Sequence, residues 1–589
     1  MQGKIISLYR ERLAREKGAV LKDWGGRVTI ALAYPNYYHI GMSNLGFQIV
    51  YHLFNENENI VAERVFFPEG QEMSLYLQTG KGILSLESCS PLYKFDIVAF
   101  SLSFENDYPN ILKILDLGKV PLLSEDRDES HPFIMAGGIA TFLNPEPMAP
   151  FFDFFQLGEA EANLNAFIEV FSDLRNARIR RHEVLKNLAH NIKSIYVPSL
   201  YHVEYSGNGI IKSMEPIGSH IPEKIEVVSQ VPLQSRVNTS VILTNETEFS
   251  GRTLIELGRG CGRSCRFCAA GYVYRPPRIH EESDLLACVD HVMKNNRRIG
   301  LLSASVSDTP GIERISGIIV DKGGTFSISS LRADSLTEEL LDNLKRSGQN
   351  TVAIAPEAGS ERLRKVVNKH LTREQILSAA QLIARTKDFT LRLYFLIGLP
   401  TETNEDVADI LQIIKAIKHQ VIKESSTRGR IGRIKLSINC FVPKPFTPFQ
   451  WFPMEYISTL KTKQKWLKKA LVREGGVNVN FDVPKWAYVQ TLLSMGDRRV
   501  GSILLLAHEL HNDWTRAFRS SQINPDFFVH RPKGHDEILP WDFINHGINK
   551  EYLLNEYTLA LKGRESDICH VGKCHRCGVC QSTRPFNSF

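Results

Sequence analysis

The 589-residue sequence lacks a long apolar run, a secretory leader pattern and a large surplus of one charge, and the first two absences argue against particular classes of protein. No uninterrupted apolar run approaches the roughly 20 residues that a helix needs to span a bilayer. The N-terminal stretch mixes charged and apolar residues at helical spacing, which argues against a secretory signal peptide. The basic surplus is only six charges, from 71 Lys and Arg against 65 Asp and Glu, and neither requires nor excludes a nucleic acid partner. We expect a cytoplasmic protein without membrane spans.

Isolated cysteines are also scarce. Seven of the ten cysteines fall into two tight clusters, and only Cys89, Cys288 and Cys440 stand alone. This distribution argues against a secreted disulfide framework and fits a reducing compartment. The composition, with 43% hydrophobic and 23% charged residues, is ordinary for globular domains. The length predicts roughly three or four of them.

The first cysteine cluster follows a predicted strand at residues 253–257. Cys261, Cys265 and Cys268 lie on a glycine-containing loop, a spacing that allows thiolates to surround one iron–sulfur cluster. With three cysteines, one iron would lack a protein ligand and could bind a substrate or cofactor. Zinc is the alternative, although the next candidate ligands, His280 and Cys288, are poorly spaced.

The N-terminal part alternates apolar strands with helices. Strands are predicted near residues 27–35, 95–101, 133–138 and 152–159, a pattern typical of a doubly wound, Rossmann-like α/β domain with a parallel sheet. Gly137 and Gly138 end one of these strands. They allow the backbone to approach a flat or phosphorylated ligand, or they only form a tight turn.

A second strand and helix alternation, from residue 253 to about 451, predicts a full or partial (β/α) barrel. Chemistry in such barrels lies at the carboxyl ends of the strands, where we expect Cys261, Ser305, Arg332, Glu357 and Gly398. Two of these residues have simpler alternatives. Glu357 would stabilise the N-terminus of the following helix, and Arg332 would pair with Asp334.

The pattern Cys-x3-Cys-x2-Cys, with Phe267 before the last cysteine, resembles the signature of radical S-adenosylmethionine (SAM) enzymes. Residues 329–334, 356–362, 397–403 and 441–451 look like landmarks of radical SAM proteins that carry a cobalamin domain, in a subgroup where 496–499 follows the barrel. The resemblance implies a 4Fe-4S cluster on the three cysteines, with SAM chelating its open iron. The implied SAM-binding residues are Phe267, Ser305, Ser329, Arg332, Glu357 and Gly398.

The N-terminal domain is similar to the cobalamin-binding domain that precedes many radical SAM barrels. Residues 137–141, 144–147, 153 and 158–161 carry this likeness. The implied cobalamin contacts are Gly137, Gly138, Thr141, Gly158 and Glu159. The Asp-x-His-x-x-Gly element of that family is absent, and His39 in the corresponding loop lacks its aspartate and glycine. The resemblance therefore implies cobalamin bound without a lower histidine, or a domain that has lost the cofactor.

A second cysteine cluster lies near the other end of the chain, at Cys569, Cys574, Cys577 and Cys580. Four cysteines at this spacing predict either an auxiliary 4Fe-4S cluster or a structural zinc site. His570 and His575 interleave the cysteines, and zinc would accept them as ligands. The choice between the two metals stays open at this point.

These features divide the chain into five parts: an N-terminal helix (1–25), a cobalamin-type α/β domain (26–175), a connecting region (176–249), a radical SAM barrel of partial TIM type (250–455) and a helical C-terminal region with a cysteine-rich tail (456–589). The resemblance implies a 5′-deoxyadenosyl radical and cobalamin-dependent methyl transfer to an unactivated carbon. One alternative is cobalamin-independent C–C bond formation or rearrangement. Another is RNA or protein modification, with the cysteine tail and the basic segment 175–193 as docking surface. A flavodoxin or ferredoxin is the expected electron donor, and the substrate stays unspecified.

Overall fold

The computed structural model of the chain describes residues 2–231, 233, 236–426 and 429–582, so the last seven residues of the predicted C-terminal region lie outside it. Across these ranges, no helix combines the length and apolar character that a bilayer crossing requires.

One six-stranded sheet occupies the N-terminal part. Its strands are β1 (Val28–Tyr34), β2 (Ile60–Phe66), β3 (Ile97–Ser101), β4 (Phe133–Gly137), β5 (Phe154–Gln156) and β6 (Ile195–Tyr196). They lie in the order β2-β1-β3-β4-β5-β6, and all neighbours are parallel except β5 with β6. Every residue of β1 and β2 is buried, as expected for strands covered on both faces. The predicted doubly wound sheet is confirmed.

Eight helices accompany this sheet. They are α1 (Gln2–Ala14), α2 (Tyr38–Gly41), α3 (Leu45–Glu56), α4 (Gln71–Thr79), α5 (Tyr108–Leu117), α6 (Ile139–Leu143), α7 (Ala160–Asn176) and α8 (Arg181–Asn191). The N-terminal helix ends at Ala14, well before residue 25. The predicted domain end at residue 175 is too early, because α8 leads into β6, which completes the first sheet.

The rest of the connecting region contains short strands. β7 (Tyr201–Tyr205) and β8 (Ile211–Pro216) form the predicted antiparallel hairpin. β9 (Ile225–Glu226) pairs in parallel with β19 (Ile544–Asn545), far along the chain. The connection is therefore tied to the C-terminal region.

The barrel region is an open arc of parallel strands in two sheets. The first contains β10 (Thr253–Glu256), β13 (Arg298–Leu302) and β14 (Thr325–Ser327), and the second contains β15 (Thr351–Glu357), β16 (Thr390–Ile397), β17 (Ile434–Cys440) and β18 (Val477–Phe481). A parallel bridge between Leu331 and Ile354 joins the sheets. Among the described strands, β18 does not pair with β10, so the barrel is partial. The predicted end at 455 is too early, since β18 pairs with β17.

In the described part of the barrel region, seven helices follow the strands: α9 (Glu282–Met293), α10 (Ile312–Asp321), α11 (Glu338–Arg346), α12 (Glu361–Val366), α13 (Arg373–Thr386), α14 (Asn404–Ser425) and α15 (Ile457–Glu474). Gly348, just beyond α11, has the left-handed φ of 78° expected after a helix end.

Helices dominate the remaining chain: α16 (Pro484–Met495), α17 (Val500–Glu509), α18 (Trp514–Ser520), α19 (Asp526–Val529), α20 (Lys550–Leu561) and α21 (Val579–Ser582). Residues 496–499, singled out in the sequence, join this region to the first domain. Arg498 pairs with buried Glu146 at 2.8 Å, and Asn144 donates to the carbonyl of Gly496 at 2.7 Å. The four-residue stretch therefore has a structural role at a domain interface.

Candidate functional site

A short antiparallel hairpin closes the base of the first cysteine loop. β11 (Gly258–Arg259) pairs with β12 (Arg278–Ile279), so residues 260–277 project as one loop after β10. Cys261, Cys265 and Cys268 all lie on this loop and are not in disulfides. The predicted three-cysteine loop is therefore found at the carboxyl end of the first barrel strand.

The three thiols influence one another electrostatically. Burial raises the pKa of Cys268 to about 12, and the charges of Cys265 and Cys261 act in the same direction. Burial also raises the pKa of Cys261. Metal binding would favour the thiolate forms, since the thiolate is the ligand. Among the described residues, no three His, Cys, Asp or Glu side chains surround a single ion position; a 4Fe-4S cluster instead distributes its cysteines over separate irons.

Arg266 fixes the back of the loop. Its fully buried guanidinium pairs with Glu556 of α20 at 3.1 Å. It also donates to the carbonyl oxygens of Val366 and Arg564, each at 2.9 Å. The loop is thereby held between the end of α12 and the segment that leads to the second cysteine cluster.

Charged side chains form a network beyond β13 and β14. Arg263 pairs with Asp308 at 2.5 Å and with Asp334 at 3.4 Å. Burial alone would raise the pKa of Asp308, but hydrogen bonds from Arg263 and Ser305 lower it below its ordinary value. Arg332 pairs with Asp334 at 2.9 Å, as the simpler alternative predicted, and this pair joins the same network.

Glu357 ends β15 with a left-handed φ of 67°. Such backbone strain costs of order 1–3 kcal/mol and clusters at functional sites. Its carboxylate pairs with Lys369 at 3.0 Å. Burial alone would lower the pKa of Lys369, but Glu357 and Cys265 raise it, so this pair lies near the second cysteine. Ser360 supplies the side-chain cap of the following helix, and the Glu357 carboxylate is instead paired with Lys369.

The remaining predicted SAM contacts differ in their surroundings. Phe267 packs against a buried apolar cluster that contains Leu399 and Phe441. Gly398 has φ 80°, and a Cβ there would lie 3.0 Å from the Leu460 side chain. Ser329 is exposed in the loop after β14. The structure thus brings Phe267 beside the turn after β16, where an adenine platform is expected.

A cavity of about 500 Å³ separates the first sheet from the cysteine loop. Its lining includes Gly137, Gly138, Gly158 and Glu159 from the N-terminal domain and Gly258, Gly260, Ala270, Tyr274 and Ala304 from the barrel. Four of the five residues predicted to contact cobalamin therefore face one space together with the cysteine loop.

The close approach of neighbouring backbone explains why two of these positions are occupied by glycine. A Cβ on Gly138 would lie 2.4 Å from the carbonyl oxygen of Leu102, and one on Gly158 would lie 2.2 Å from that of Val228. The fifth residue, Thr141, does not line the cavity: it is buried and donates to the carbonyl of Gly138 at 2.7 Å. His39 lies elsewhere, 43% exposed and near Glu69, in accord with its missing motif.

Glu159 has a further role that the sequence did not reveal. Its carboxylate, only 4% exposed, pairs with Arg278 at 2.6 Å and with Arg259 at 3.1 Å. These arginines belong to the two strands at the base of the cysteine loop. A carboxylate of the first domain therefore holds both ends of that loop.

The second cysteine cluster lies against the first loop. The amide of Cys569 donates to the carbonyl of Gly262 at 2.7 Å. Burial raises the pKa of Cys569. The charge of Arg275 opposes this rise in pKa, whereas the charges of Cys577, Cys574 and Cys580 add to it. Cys569 therefore contacts the first loop through its backbone amide, and the charges of the other three cysteines act on its thiol.

Arg275 lies between the two cysteine clusters. It donates to Ser264 Oγ in the first loop at 2.7 Å, and its guanidinium lies over the rings of Tyr272 and Tyr552. Its charge also acts on Cys569 and Cys577. One cation thus contacts the first loop and faces the second cluster.

Sequence reasoning missed Arg263, Asp308, Lys369 and Arg275. A usable signal was present, because residues 258–279 contain five arginines and no Asp or Glu. Buried arginines need carboxylates or carbonyls as partners, so this composition indicates that distant segments supply them.

Two family models match the chain. The model for the N-terminal region of radical SAM proteins matches residues 46–198, and the model for the radical SAM superfamily matches residues 255–414. The sheet, barrel and cysteine loop therefore define a radical SAM architecture. This chain is a radical SAM enzyme, and its family uses SAM and a 4Fe-4S cluster.

The related proteins differ in how much of this chain they match. A Methanocaldococcus jannaschii protein described as uncharacterized is 29% identical over 478 residues, which cover 81% of this chain and 90% of that protein. The tRNA-2-methylthio-N(6)-dimethylallyladenosine synthase of Clostridium beijerinckii is 20% identical over 33% of this chain and 46% of its own. The ribosomal protein uS12 methylthiotransferase RimO of Thermosipho africanus is 24% identical over 29% of this chain and 45% of its own.

Solved structures include two similar chains. The methyltransferase TsrM from Kitasatospora setae, with cobalamin and a [4Fe-4S] cluster bound, has a TM-score of 0.45 at 13% identity, covering 72% of this chain and 77% of its own. The cobalamin-dependent radical enzyme OxsB, with aqua-cobalamin and SAM bound, has a TM-score of 0.43 at 13% identity, covering 91% and 79%.

The Glu159 ion group predicts a clear stability effect. Glu159→Gln leaves Arg278 without its buried carboxylate, whereas Arg259 keeps Glu161 and Glu256, and we expect the free energy of unfolding to fall by about 3–5 kcal/mol. Thermal unfolding monitored by circular dichroism measures the change. Glu169→Gln, an exposed position on the same helix α7, is the control. Equal melting temperatures for the two variants would contradict the assigned role.

Proposed function

We propose that this radical SAM enzyme uses cobalamin and transfers a methyl group to an unactivated carbon. The observation that carries the proposal is the cavity between the first sheet and the cysteine loop. Ligands of open α/β sheets bind outside the carboxyl ends of the strands, and here Gly137, Gly138 and Gly158 line that edge. A ligand in this space would meet the residues that flank Cys261 and Cys268.

The character of the cavity supports a large and mainly apolar ligand. Side chains such as Leu45, Ile49, Phe142 and Leu164 contribute to its lining. None of its described lining residues is a histidine. Cobalamin would therefore be held here without a lower histidine, as the missing Asp-x-His-x-x-Gly element implies.

When bound, the 4Fe-4S cluster and SAM supply a 5′-deoxyadenosyl radical, and methylcobalamin supplies the methyl group. The chain's own part is to bind and orient. Cys261, Cys265 and Cys268 would hold the cluster.

The charged side chains near the cysteine loop are suited to binding the amino and carboxylate groups of the methionine moiety of SAM. Glu357 would accept hydrogen bonds from the SAM amino group, and Arg332 would donate to its carboxylate. Both side chains are about nine-tenths buried, with 12% and 10% exposure. Interactions with charged groups are stronger at such sites than in water, because the local dielectric is lower. Phe267, Ser305, Ser329 and Gly398 remain proposed contacts to the adenosyl part.

The radical chemistry predicts a strict requirement for the first cluster. After anaerobic loading with iron and sulfide, the wild type with dithionite and SAM is expected to form 5′-deoxyadenosine. Cys265→Ser removes one of three cluster ligands and should abolish this product, whereas Cys288→Ser, outside both clusters, should retain it. Liquid chromatography with mass spectrometry measures the nucleoside. A loaded, reduced wild type that forms none would contradict the proposal.

Cobalamin binding is tested at the cavity. Ala304→Trp places a bulky side chain in the lining, and we expect it to weaken hydroxocobalamin binding at least about tenfold by loss of space, a change that corresponds to 1.4 kcal/mol. Absorbance titration of the full chain measures the affinity. Ala177→Trp, at an exposed position after α7, is the control and should bind as the wild type does.

A wild type that binds no corrinoid would remove the methyltransferase assignment. Cobalamin-independent C–C bond formation or rearrangement would then take its place. This alternative is selected if the protein forms 5′-deoxyadenosine but binds no corrinoid.

We further propose that Cys569, Cys574, Cys577 and Cys580 hold a second 4Fe-4S cluster. The hydrogen bond from Cys569 to Gly262 supports this assignment, since it joins the segment that carries the four cysteines to the first loop. In this proposal the second cluster relays electrons to the first. A flavodoxin or ferredoxin remains the predicted electron donor, and a cytoplasmic location remains a prediction.

Metal analysis separates this second cluster from zinc. Cys577→Ser is expected to lower the iron content by about four atoms per chain, because the mutated cluster loses one of its four cysteine ligands. Inductively coupled plasma mass spectrometry of the anaerobically loaded protein gives both metals, with Cys440→Ser as control. Loss of about one zinc with unchanged iron would contradict the second cluster.

A further inference from the structure

A strongly basic surface covers α15, outside the site described above. Between residues 457 and 473, this helix carries six Lys and Arg and no Asp or Glu. Lys463 is buried and paired, whereas the other five are exposed. The exposed set, here called the α15 basic face, consists of Lys461, Lys465, Lys468, Lys469 and Arg473. Within the described part of the chain, none of the five forms an ion pair with a carboxylate.

The helix periodicity gathers these charges on one side. Leu460, Lys463, Leu467 and Leu471 recur at intervals of three and four residues and are buried, so they form the stripe that faces the protein. The basic face occupies the opposite side. Unpaired positive charge of this density attracts a polyanion, whereas a merely solvated helix commonly interleaves charges of both signs.

Two exposed tryptophans border the basic face. Trp466 on α15 is 45% exposed, and Trp486 on α16 is 46% exposed. Gln464 of α15 donates to the carbonyl of Asp482 at 2.8 Å, which brings the start of α16, with Trp486, beside α15. By helix geometry, Gln464 and Trp466 lie toward opposite borders of the basic face. Exposed indole rings next to a cationic stripe are suited to stacking with unpaired bases.

The basic face is anchored beside the mouth of the barrel. Lys463 pairs with Glu402 at 2.7 Å, and Glu402 accepts a hydrogen bond from the amide of Gly398 at 2.8 Å. Gly398 directly follows β16, at the carboxyl edge where the cysteine loop also lies. The start of α15 therefore lies near that edge, and one end of a polymer bound along the basic face would extend toward it.

We propose that the α15 basic face and its two tryptophans bind a single-stranded segment of a polynucleotide, as part of the enzyme's substrate. The lysines and arginine contact phosphates, and the indole rings stack on unpaired bases. An acidic protein or an anionic membrane would use the charges but would not require the paired indoles. The inference rests on the proposed function only in calling the polynucleotide a substrate; the binding itself does not depend on cobalamin or SAM.

Binding is measured by fluorescence anisotropy with the full chain and a fluorescein-labelled RNA stem-loop. Lys465→Glu/Lys468→Glu/Lys469→Glu should weaken binding at least about tenfold and reduce the slope of log affinity against log salt by about two. Trp466→Ala and Trp486→Ala should each weaken it by about five- to hundredfold through lost stacking. A DNA stem-loop of the same sequence tests whether the surface distinguishes RNA from DNA. A fully paired duplex should bind more weakly than either stem-loop.

A second basic segment supplies the matched control. Arg178→Glu/Arg180→Glu/Lys186→Glu reverses three exposed charges near α8, the other docking surface that the sequence suggested. This variant should bind the stem-loop within about twofold of the wild type, a difference below the effect of one lost stacked base. Circular dichroism and thermal unfolding verify that every variant is folded.

Several results would overturn the inference. The first two are a wild-type RNA affinity in the folded α15 charge variant and an equal loss of RNA affinity in the α8 control. The others are an RNA affinity that does not change when either tryptophan is replaced, and stronger binding to phosphatidylserine vesicles than to either nucleic acid. Cys265→Ser should bind RNA as the wild type does. A wild type that binds RNA but forms no 5′-deoxyadenosine would contradict the radical chemistry alone, and the reverse pattern would contradict this inference alone.

Discussion

Glu159 and its two arginine partners fix the relation between the two halves of the molecule. The carboxylate belongs to the end of the first sheet, while Arg259 and Arg278 belong to the strands that close the cysteine loop. Buried charges of this kind stabilise a structure only when all partners are present. A shift of the loop away from the first domain would therefore leave Arg278 without its carboxylate, although Arg259 would keep Glu256.

The cysteine loop is held from a second direction by the C-terminal segment. Arg266 pairs with Glu556 behind the loop, and the backbone of Gly262 accepts from Cys569. Opposite sides of one short loop thus contact the first domain and the last helices. This arrangement lets the metal-binding residues stay on an irregular backbone while their positions are set by rigid neighbours, as precise chemical sites require.

Local patterns predicted much of this architecture from the sequence. The strand predicted near 133–138 is β4, and the strand predicted at 253–257 is β10. The failures have a common physical origin. The partners of Arg266, 290 residues away, and of Arg278, 119 residues away, leave no local periodicity. β6 and β18 each pair with the preceding strand across intervening helices, so the domain limits at 175 and 455 were too early. Thr141 was predicted to contact cobalamin, but its hydroxyl donates a hydrogen bond to the carbonyl of Gly138.

The hydrogen bond between Cys569 and Gly262 has a consequence for biosynthesis. Residue 262 leaves the ribosome about three hundred residues before residue 569, since the chain grows from its N-terminus at about 5–20 residues per second. Until then, the loop lacks Glu556 behind Arg266 and the backbone partner of Gly262. The contacts that hold the cysteine loop from this side therefore form only after residues 556 and 569 have been synthesised.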